Sequence, residues 1–521
     1  MLILVLWILI QTTFFQTFII HRVAHKLSKE LNTTVSIKKI NLELFDRMDM
    51  ENLLVLDHQK DTLLFAGSAK VSITDWFFFK KNISLNYIGL SDAFINLHRS
   101  DSTWNYQFMV DYFSGPGNKK TDTTSSGINL DLKVVNLKNI RIWQKDGWRG
   151  EDMLVSIGRL NIHADQFDLN RNVIKLSEIQ LEKPSFTLYD YEGNRPGDTS
   201  SSSASIVQET EGLQWNPDQW QLSAKYLKIS DGIVAVEKAG HSAPVMNEFD
   251  ENHIIISSIN GTFKNIKLKD DTLQSFVSLS ARDRGGFVIK KLSADFKFTP
   301  AMMEFKDLDI LTKKSHLQNY YAMHYQHFND DMQDFIHNVT VDGHFKNSKL
   351  SSDDLAYFAP DTRSWETDFY LSGRAHGKID NLTAHDMVIK AGENNYLSGD
   401  ISLRGLPDID KTFIDLRTNE LRSNYVELAK LIPDLKGITN PNLKAFGNIY
   451  FAGSFTGYVN DFVTFGTLKT DIGMLQTDVH LRIPAKGRAV YNGKVSTTNF
   501  QLGKFIGNND IGNIVFDGKV N

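Results

Sequence analysis

Two histidines in "HRVAH", His21 and His25, stand four residues apart, a spacing that on a helix puts both imidazoles on one face within reach of a metal ion. The glutamate that a zinc-protease helix carries between its histidines is missing, so the pair reads as interfacial polarity. His324 and His327 in "MHYQHF" are also close, but on a strand they point to opposite faces. The acidic doublets Asp270/Asp271, Asp330/Asp331 and Asp353/Asp354 sit in polar, turn-like contexts, where aspartate stabilises turns and caps. No G-x-S-x-G or Walker-type loop occurs, and "GSFTG" lacks the central serine. The expectation is no catalytic residue, no metal site and no cofactor; an envelope hydrolase is the weakest of the functional alternatives.

The totals narrow the classes further. A net charge of −5 gives no reason to bind a polyanion such as nucleic acid. The absence of cysteine excludes disulfides, thiolate metal sites and cysteine nucleophiles. A chain of 521 residues exceeds one ordinary core, so it must be several domains or an architecture that grows by repetition.

Repetition is what the strands write. "LNYIGLSDAFINL" from Leu85 is echoed by "LKVVNLKNIRIWQ" from Leu132, "LSEIQLEKPSFTL" from Leu176 and, more loosely, "LSAKYLKISDGIVAV" from Leu222, with starts 47, 44 and 46 residues apart. Apolar residues alternate on both sides of a two-residue break: Ile88 and Leu90, then Ala93, Ile95 and Leu97; Val135 and Leu137, then Ile140 and Ile142; Ile179 and Leu181, then Phe186 and Leu188. Period two predicts half-buried antiparallel strands or hairpins with one greasy face. Farther on, "DDLAYFAP", "VELAKLIP" and "FQLGKFIG", around Leu355, Leu428 and Leu502, lie 73 and 74 residues apart and suit short helical turns closing blocks of strands. "GRAHGKID" from Gly373 and "GSFTGYVN" from Gly453 look like equivalent strands, their glycines marking bulges or twist.

The predicted fold is therefore mostly β: an elongated, twisted, antiparallel repeating groove of roughly 30 strands with short helical turns, about 140 Å of stacked strands if laid side by side. Gly/Ser/Thr-rich segments at 114–127 and 192–205 read as mobile loops. "DWFFFKK" at 75–81 is an aromatic cluster for a β-block core, with membrane-surface contact the alternative.

The first 20 residues carry no charge, enough for a helix of about 30 Å. Leu2, Ile3, Leu4, Val5, Leu6, Trp7, Ile8, Leu9 and Ile10 head this expected single-pass anchor, and Phe14, Phe15, Phe18, Ile19, Val23, Leu27 and Leu31 would continue it as an apolar stripe. Arg22, Lys26 and Lys29 follow the apolar run with nothing basic before it, which by itself would leave the bulk in the cytoplasm; a basic leader ahead of Met1 would reverse that and is the favoured reading.

"FIIHRVAHKLSKELNTTVSIKKINLEL", "LVLDHQKDTLLFAGSAKVSI", "ISLNYIGLSDAFINLHR" and "GFVIKKLSADFKFTPAMMEFKDLDILTKKSHL" together resemble the AsmA-like proteins of bacterial envelopes, in particular the N-terminal part of the TamB family of translocation and assembly module subunits in Bacteroidetes-type bacteria. The resemblance implies an anchor at 1–31, an AsmA-like β-repeat region at 32–340 and further groove repeats at 341–521. It implies an inner-membrane protein with its bulk in the periplasm, carrying phospholipid along an apolar β-groove toward the outer membrane. The alternative is assembly of outer-membrane or secreted proteins with an Omp85-type barrel, docked through a C-terminal region beyond "GNIVFDGKVN", where the chain stops inside a strand. An outer-membrane barrel shares the alternation but not the helical turns. The expected groove lining is Ile88, Leu90, Ile95, Leu97, Val135, Leu137, Ile140, Ile142, Ile179, Leu181, Phe186 and Leu188.

Overall fold

The structure is a computed structural model that describes residues 13–43, 47–73, 83–114, 128–195, 214–240, 243–431, 433–439, 441–484 and 490–521. It divides into two compact units, Met1–Met246 with Asp250–Gly286, and Asn247–Phe249 with Phe287–Asn521. The expected boundary at 340 falls inside the second unit. The expected anchor residues Leu2 to Ile10, the cluster at 75–81, and residues 115–127 and 196–205 of the expected loops lie outside the described residues.

In the first unit α1 (Thr13–Glu30) precedes β1 (Val35–Ser36), β2 (Lys39–Glu43), β3 (Arg47–Leu56), β4 (Thr62–Ile73) and β5 (Ile83–Arg99). Then come α2 (Gln107–Ser114), β6 (Ile128–Asp146), β7 (Glu151–Asp168), β8 (Val173–Asp190), β9 (Gln221–Lys238), β10 (His253–Lys269) and β11 (Thr272–Asp283). From β3 each strand pairs with the next through β11, with β1 and β2 both on β3.

Two of these pairings correct the antiparallel expectation: β5 with β6 and β8 with β9 run parallel. A parallel pair needs a return crossing that a tight turn cannot make. The two connections, residues 100–127 and 191–220, contain the polar segments that break the strand rhythm.

The hairpin reading of the repeated phrase is also corrected. Each phrase is one continuous strand of 17 to 19 residues, and its central break is a kink rather than a turn. Asp92, Asn139, Lys183 and Asp231 take left-handed backbone there, with φ of 53°, 53°, 49° and 56°. Asp and Asn visit that region at least cost among side-chain-bearing residues. The kink exchanges the faces of odd and even residues, so apolar side chains on both sides of the break stay on one face.

α1 docks by Val23, 2 % exposed, with Ile20, Ala24 and Leu27 packed into the same core as Val35, Ile40, Met50, Val55, Ala66, Ala69, Ala93 and Ile140. Tyr106, Phe108 and Met109, at and beside the start of α2, pack against that core too. Phe18 departs from the expected stripe and is exposed. No helix among the described residues is long and apolar enough to cross a membrane.

The second unit holds β12 (Val288–Thr299), β13 (Met302–Leu311), β14 (His316–His324), α3 (Phe328–Gln333), α4 (Phe335–Asn338), β15 (Thr340–Ser351) and α5 (Ser352–Leu355). It continues through β16 (Asp368–Lys378), β17 (Asn381–Ala391), β18 (Asn395–Arg404), β19 (Phe413–Asn424) and α6 (Tyr425–Leu431). Last are β20 (Asn448–Tyr458), β21 (Asp461–Thr470), β22 (Gly473–Arg482), β23 (Val490–Gln501), α7 (Leu502–Ile506) and β24 (Asn513–Val520). All pairs from β12 to β24 are antiparallel neighbours in sequence. The three expected helical turns are α5, α6 and α7, and four strands separate each from the next. The strands with Gly373 and Gly453 are β16 and β20, each the first strand after such a turn.

Candidate functional site

Residues directly opposite across a strand pair share a face, so the pairing registers can be followed as rows running across the sheet. One row in the first unit reads Met48, Val71, Ile88, Val135, Ile162, Ile179, Leu227, Phe263 and Val277, from β3 to β11. The next reads Ile40, Met50, Ala69, Leu90, Leu137, Leu160, Leu181 and Ile229. Across the kink come Leu53, Ala66, Ala93, Ile140, Ile157 and Pro184, then Val55, Leu64, Ile95, Ile142, Val155, Phe186, Val234 and Ile256. A fifth row, Leu97, Gln144, Met153, Leu188, Val236 and Ile254, admits a single amide. All twelve residues expected to line a groove stand in these five rows.

The kink leaves the register intact. On β3 to β8 the left-handed or glycine positions line up as Asn52, Gly67, Asp92, Asn139, Gly158 and Lys183, each between two regular pairs whose offset is the same on either side. At Gly158 a Cβ would stand 3.2 Å from the Lys183 Cβ, so the glycine lets the two backbones approach. Rows on both sides of this line, Ala69 and Leu90 on one and Ala66, Ala93 and Ile140 on the other, meet in one hydrophobic cluster. That places them on one face.

The opposite face is mixed: it is polar beside the kink, but beyond it carries Phe65, Phe94, Trp143, Leu154 and Ile233, the last three exposed. Its corresponding row is Glu51, Ser68, Ser91, Lys138, Arg159, Glu182 and Ser230, with Arg159 and Glu182 paired at 3.2 Å. The apolar rows are closed over only near α1: Ile40, Met50, Ala66, Ala93 and Ile140 are buried, whereas Ile162, Ile179, Leu181, Leu227, Ile229 and Val234 are half-buried and Phe186 is 36 % exposed. A contiguous apolar face of this extent left open to solvent marks an interaction surface rather than a finished core.

The same face ends in charge. Beyond the Leu97 row lie Arg99, Asp146, Glu151, Asp190 and Lys238. Arg99 grips Asp146 with two hydrogen bonds, Nε to Oδ1 at 2.7 Å and Nη2 to Oδ2 at 2.6 Å. Burial pushes the Asp146 carboxyl up, but the Arg99 bonds, the Arg149 backbone N–H and the two guanidinium charges outweigh it and hold the group below the usual carboxylate range. Burial pushes the Asp190 carboxyl up against the pull of Lys238. The arrangement is a greasy face with a polar rim.

No family model matches the chain, nor does any curated protein or any solved structure. What this chain does must be argued from the rows themselves.

The second unit repeats the pattern on its own strands. Leu371, Ile389, Leu397, Leu421, Phe451, Leu468 and Leu475 form one row from β16 to β22. Another runs from Phe298 through Met303, Met323, Val341, Gly377, Leu382, Leu403, Ile414, Gly457, Phe462 and Leu481 to Tyr491. The sequence reading nominated none of these and also missed β7, whose Leu160 and Ile162 complete the first unit's rows. β7 carries Gly158 where its neighbours carry Asn139 and Lys183, so it lacks the break that marks the repeated phrase.

Most of the histidines and aspartates singled out in the sequence make structural hydrogen bonds or ion pairs. His21 and His25 lie exposed on α1. His324 ends β14, and His327 precedes α3 and donates its backbone N–H to Asp331 at 2.9 Å. Asp271 accepts the backbone N–H groups of Gln214, Trp215 and Asn216, while Asp353 pairs with Lys314 and Asp354 accepts from the Thr312 hydroxyl. Among the described residues the one grouping with metal-ligand spacing is Asp57, Asp61 and His98. There Asp57 already accepts from the backbone of Gln59 and Asp61 and from Asn105, as a turn-stabilising aspartate does.

Proposed function

We propose that this chain is an envelope-biogenesis protein of the AsmA/TamB kind, anchored in the bacterial inner membrane with its bulk in the periplasm, and that it carries phospholipid along the apolar sheet face toward the outer membrane. The observation that supports this most is the set of five aligned apolar rows, half-open from β7 onward and ending in a charged rim. Acyl chains would lie on the rows while headgroups stay at the rim, in water.

The energetics favour a rail over release. Each methylene kept out of water is worth about 0.8 kcal/mol, so desorbing a whole acyl chain is prohibitive, whereas moving it from one row to the next is nearly level. A rail needs no catalytic constellation; it needs a face that does not change character from strand to strand.

The test is photo-crosslinking in cells with a reactive residue at Ile95, Ile142 or Phe186, followed by mass spectrometry of the detergent-purified protein. Phospholipid adducts at all three support the conduit. Adducts consisting of outer-membrane polypeptides would instead support client handling with an Omp85-type barrel, and an absence of lipid at every position would sink the proposal.

A further inference from the structure

The second unit carries a different row on the face opposite its apolar one. Reading across β16 to β21, directly paired residues are Tyr370, Lys390, Tyr396, Arg422, Tyr450 and Lys469. On β15 the partner of Tyr370 is Lys349, so the alternation of cation and tyrosine holds without a break over seven strands. Every second strand supplies a positive charge and every strand between supplies a phenol ring.

The row is open. Tyr370 is 51 % and Tyr450 48 % exposed, and Lys390, Arg422 and Lys469 are exposed as well. Two of the cations have a carboxylate beside them, Lys349 with Asp368 at 2.8 Å and Arg422 with Glu420 at 3.0 Å. No ion pair to a described carboxylate engages Lys390 or Lys469, which stand four strands apart. Arg422 also lies over the Tyr396 ring at 4.5 Å, a cation–π contact within the row.

Cross-strand cation and aromatic pairs stabilise a sheet by a few tenths to about 1 kcal/mol each, and that alone could account for one such pair. It does not account for strict alternation, since the pairing energy is equally served by Tyr next to Thr or Lys next to Glu. Alternation over seven strands is instead a periodic surface. Strands are about 4.8 Å apart, so like groups recur about every 9.6 Å. That is close to the repeat of an extended β-linked disaccharide. A sugar ring presents axial C–H bonds, positive at their outer edge, to the negative face of an aromatic ring. A carboxylate on the alternate sugar would fall on a cation.

We infer that this face of the second unit binds a linear acidic polysaccharide with one carboxylate per disaccharide, laid across the strands with neutral sugars on Tyr370 and Tyr450 and acidic sugars on Lys390, Arg422 and Lys469. The ligand is a polymer because the row is longer than any monosaccharide and presents the same two groups in turn. The inference is independent of the lipid proposal, since it concerns the other face and other residues.

The experiment measures binding of hyaluronan oligosaccharides to the full chain by isothermal titration calorimetry at low salt, with chitin oligosaccharides of equal length as the uncharged control and oligo-dT as a second polyanion. The expected result is binding of hyaluronan but not of the neutral control. It should weaken at least tenfold in Lys390→Gln/Lys469→Gln and at least tenfold in Tyr370→Ala/Tyr450→Ala. The lysine pair lies on the solvent face, and its unfolding transition should match the parent's. Hyaluronan left unbound by the parent chain, unchanged affinity in both double variants, or tighter binding of oligo-dT than of hyaluronan would each overturn the inference.

Discussion

Asn139 donates from Nδ2 to Oδ1 of Asp92 at 2.8 Å, and the two residues, 47 apart in sequence, sit side by side on parallel strands with the same left-handed φ of 53°. The spacing of the repeated phrase and the register of the parallel pair are the same number: Ile88 meets Val135 and Ile95 meets Ile142, each 47 positions on. For this pair the repetition in the sequence is the register of the sheet.

Because the kink demands φ near +53°, Asn139→Val should destabilise the first unit by about 1–2 kcal/mol, the cost of left-handed backbone for a side chain that cannot bond locally. Asn139→Gly should cost only a few tenths, since glycine takes this conformation freely. Urea unfolding followed by tryptophan fluorescence measures both; equal effects would show that the side-chain bond, not the backbone, matters at this position.

The Arg99 and Asp146 side chains are 11 % and 5 % exposed, which makes the pair nearly interior. Arg99→Ala should cost about 3 kcal/mol at neutral pH, because it strands a buried carboxylate. The Asp146 group is held below its ordinary range. Its contribution is therefore full above the unfolded value of about 3.9 and lost as the pH falls through the lower folded value. The stability gap between the parent and Asp146→Asn should accordingly be constant from pH 7 to 5 and close on further acidification, a trend that thermal melts at stepped pH will register.

Neighbouring residues on one strand separate the two faces. Ile142 lies in an apolar row and Arg141 is exposed on the opposite side. Ile142→Glu should lower phospholipid capture at a Phe186 crosslinker by more than about tenfold, since an acyl chain would have to pass a charge with no partner. Arg141→Glu should leave capture unchanged. Equal capture in the two variants would mean that lipid does not travel on this face.

Tyr321 stands in the second unit between Phe305 and Gly343 on neighbouring strands, and burial pushes its hydroxyl up to about 12. The unfolded chain ionises this group near pH 10, so its contribution is intact below that pH and is lost as the pH rises toward the folded value. Tyr321→Phe should match the parent at pH 8 and become more stable than it by roughly 2 kcal/mol at pH 12. Denaturant titrations at the two pH values compare them directly.

Much of this architecture was legible in the primary structure because local patterns carry it. Period-two alternation in "LKVVNLKNIRIWQ" identifies a strand and its greasy face, and the recurrence of Leu355, Leu428 and Leu502 marks the turns that close four-strand blocks. The twelve residues picked from three phrases fell into common rows because those phrases align at spacings of 47 and 44, which are also the offsets of the Leu90, Leu137 and Leu181 row. The looser fourth phrase was aligned two residues out: Leu176 faces Ala224, not Leu222.

What the residues alone determined is the alternation and the repeat, since each depends on neighbours within one strand or on residue type. Whether the Asp92 and Asn139 breaks turn the chain back or merely bend it was decided by tertiary structure. A left-handed residue serves a hairpin and a kink equally well, and only the partner strand, continuing in unchanged register past the break, selects the kink. Strand direction was settled the same way. "LNYIGLSDAFINL" and "LKVVNLKNIRIWQ" would suit either orientation, and only the register that sets Ile88 beside Val135 and Ile95 beside Ile142 makes them parallel.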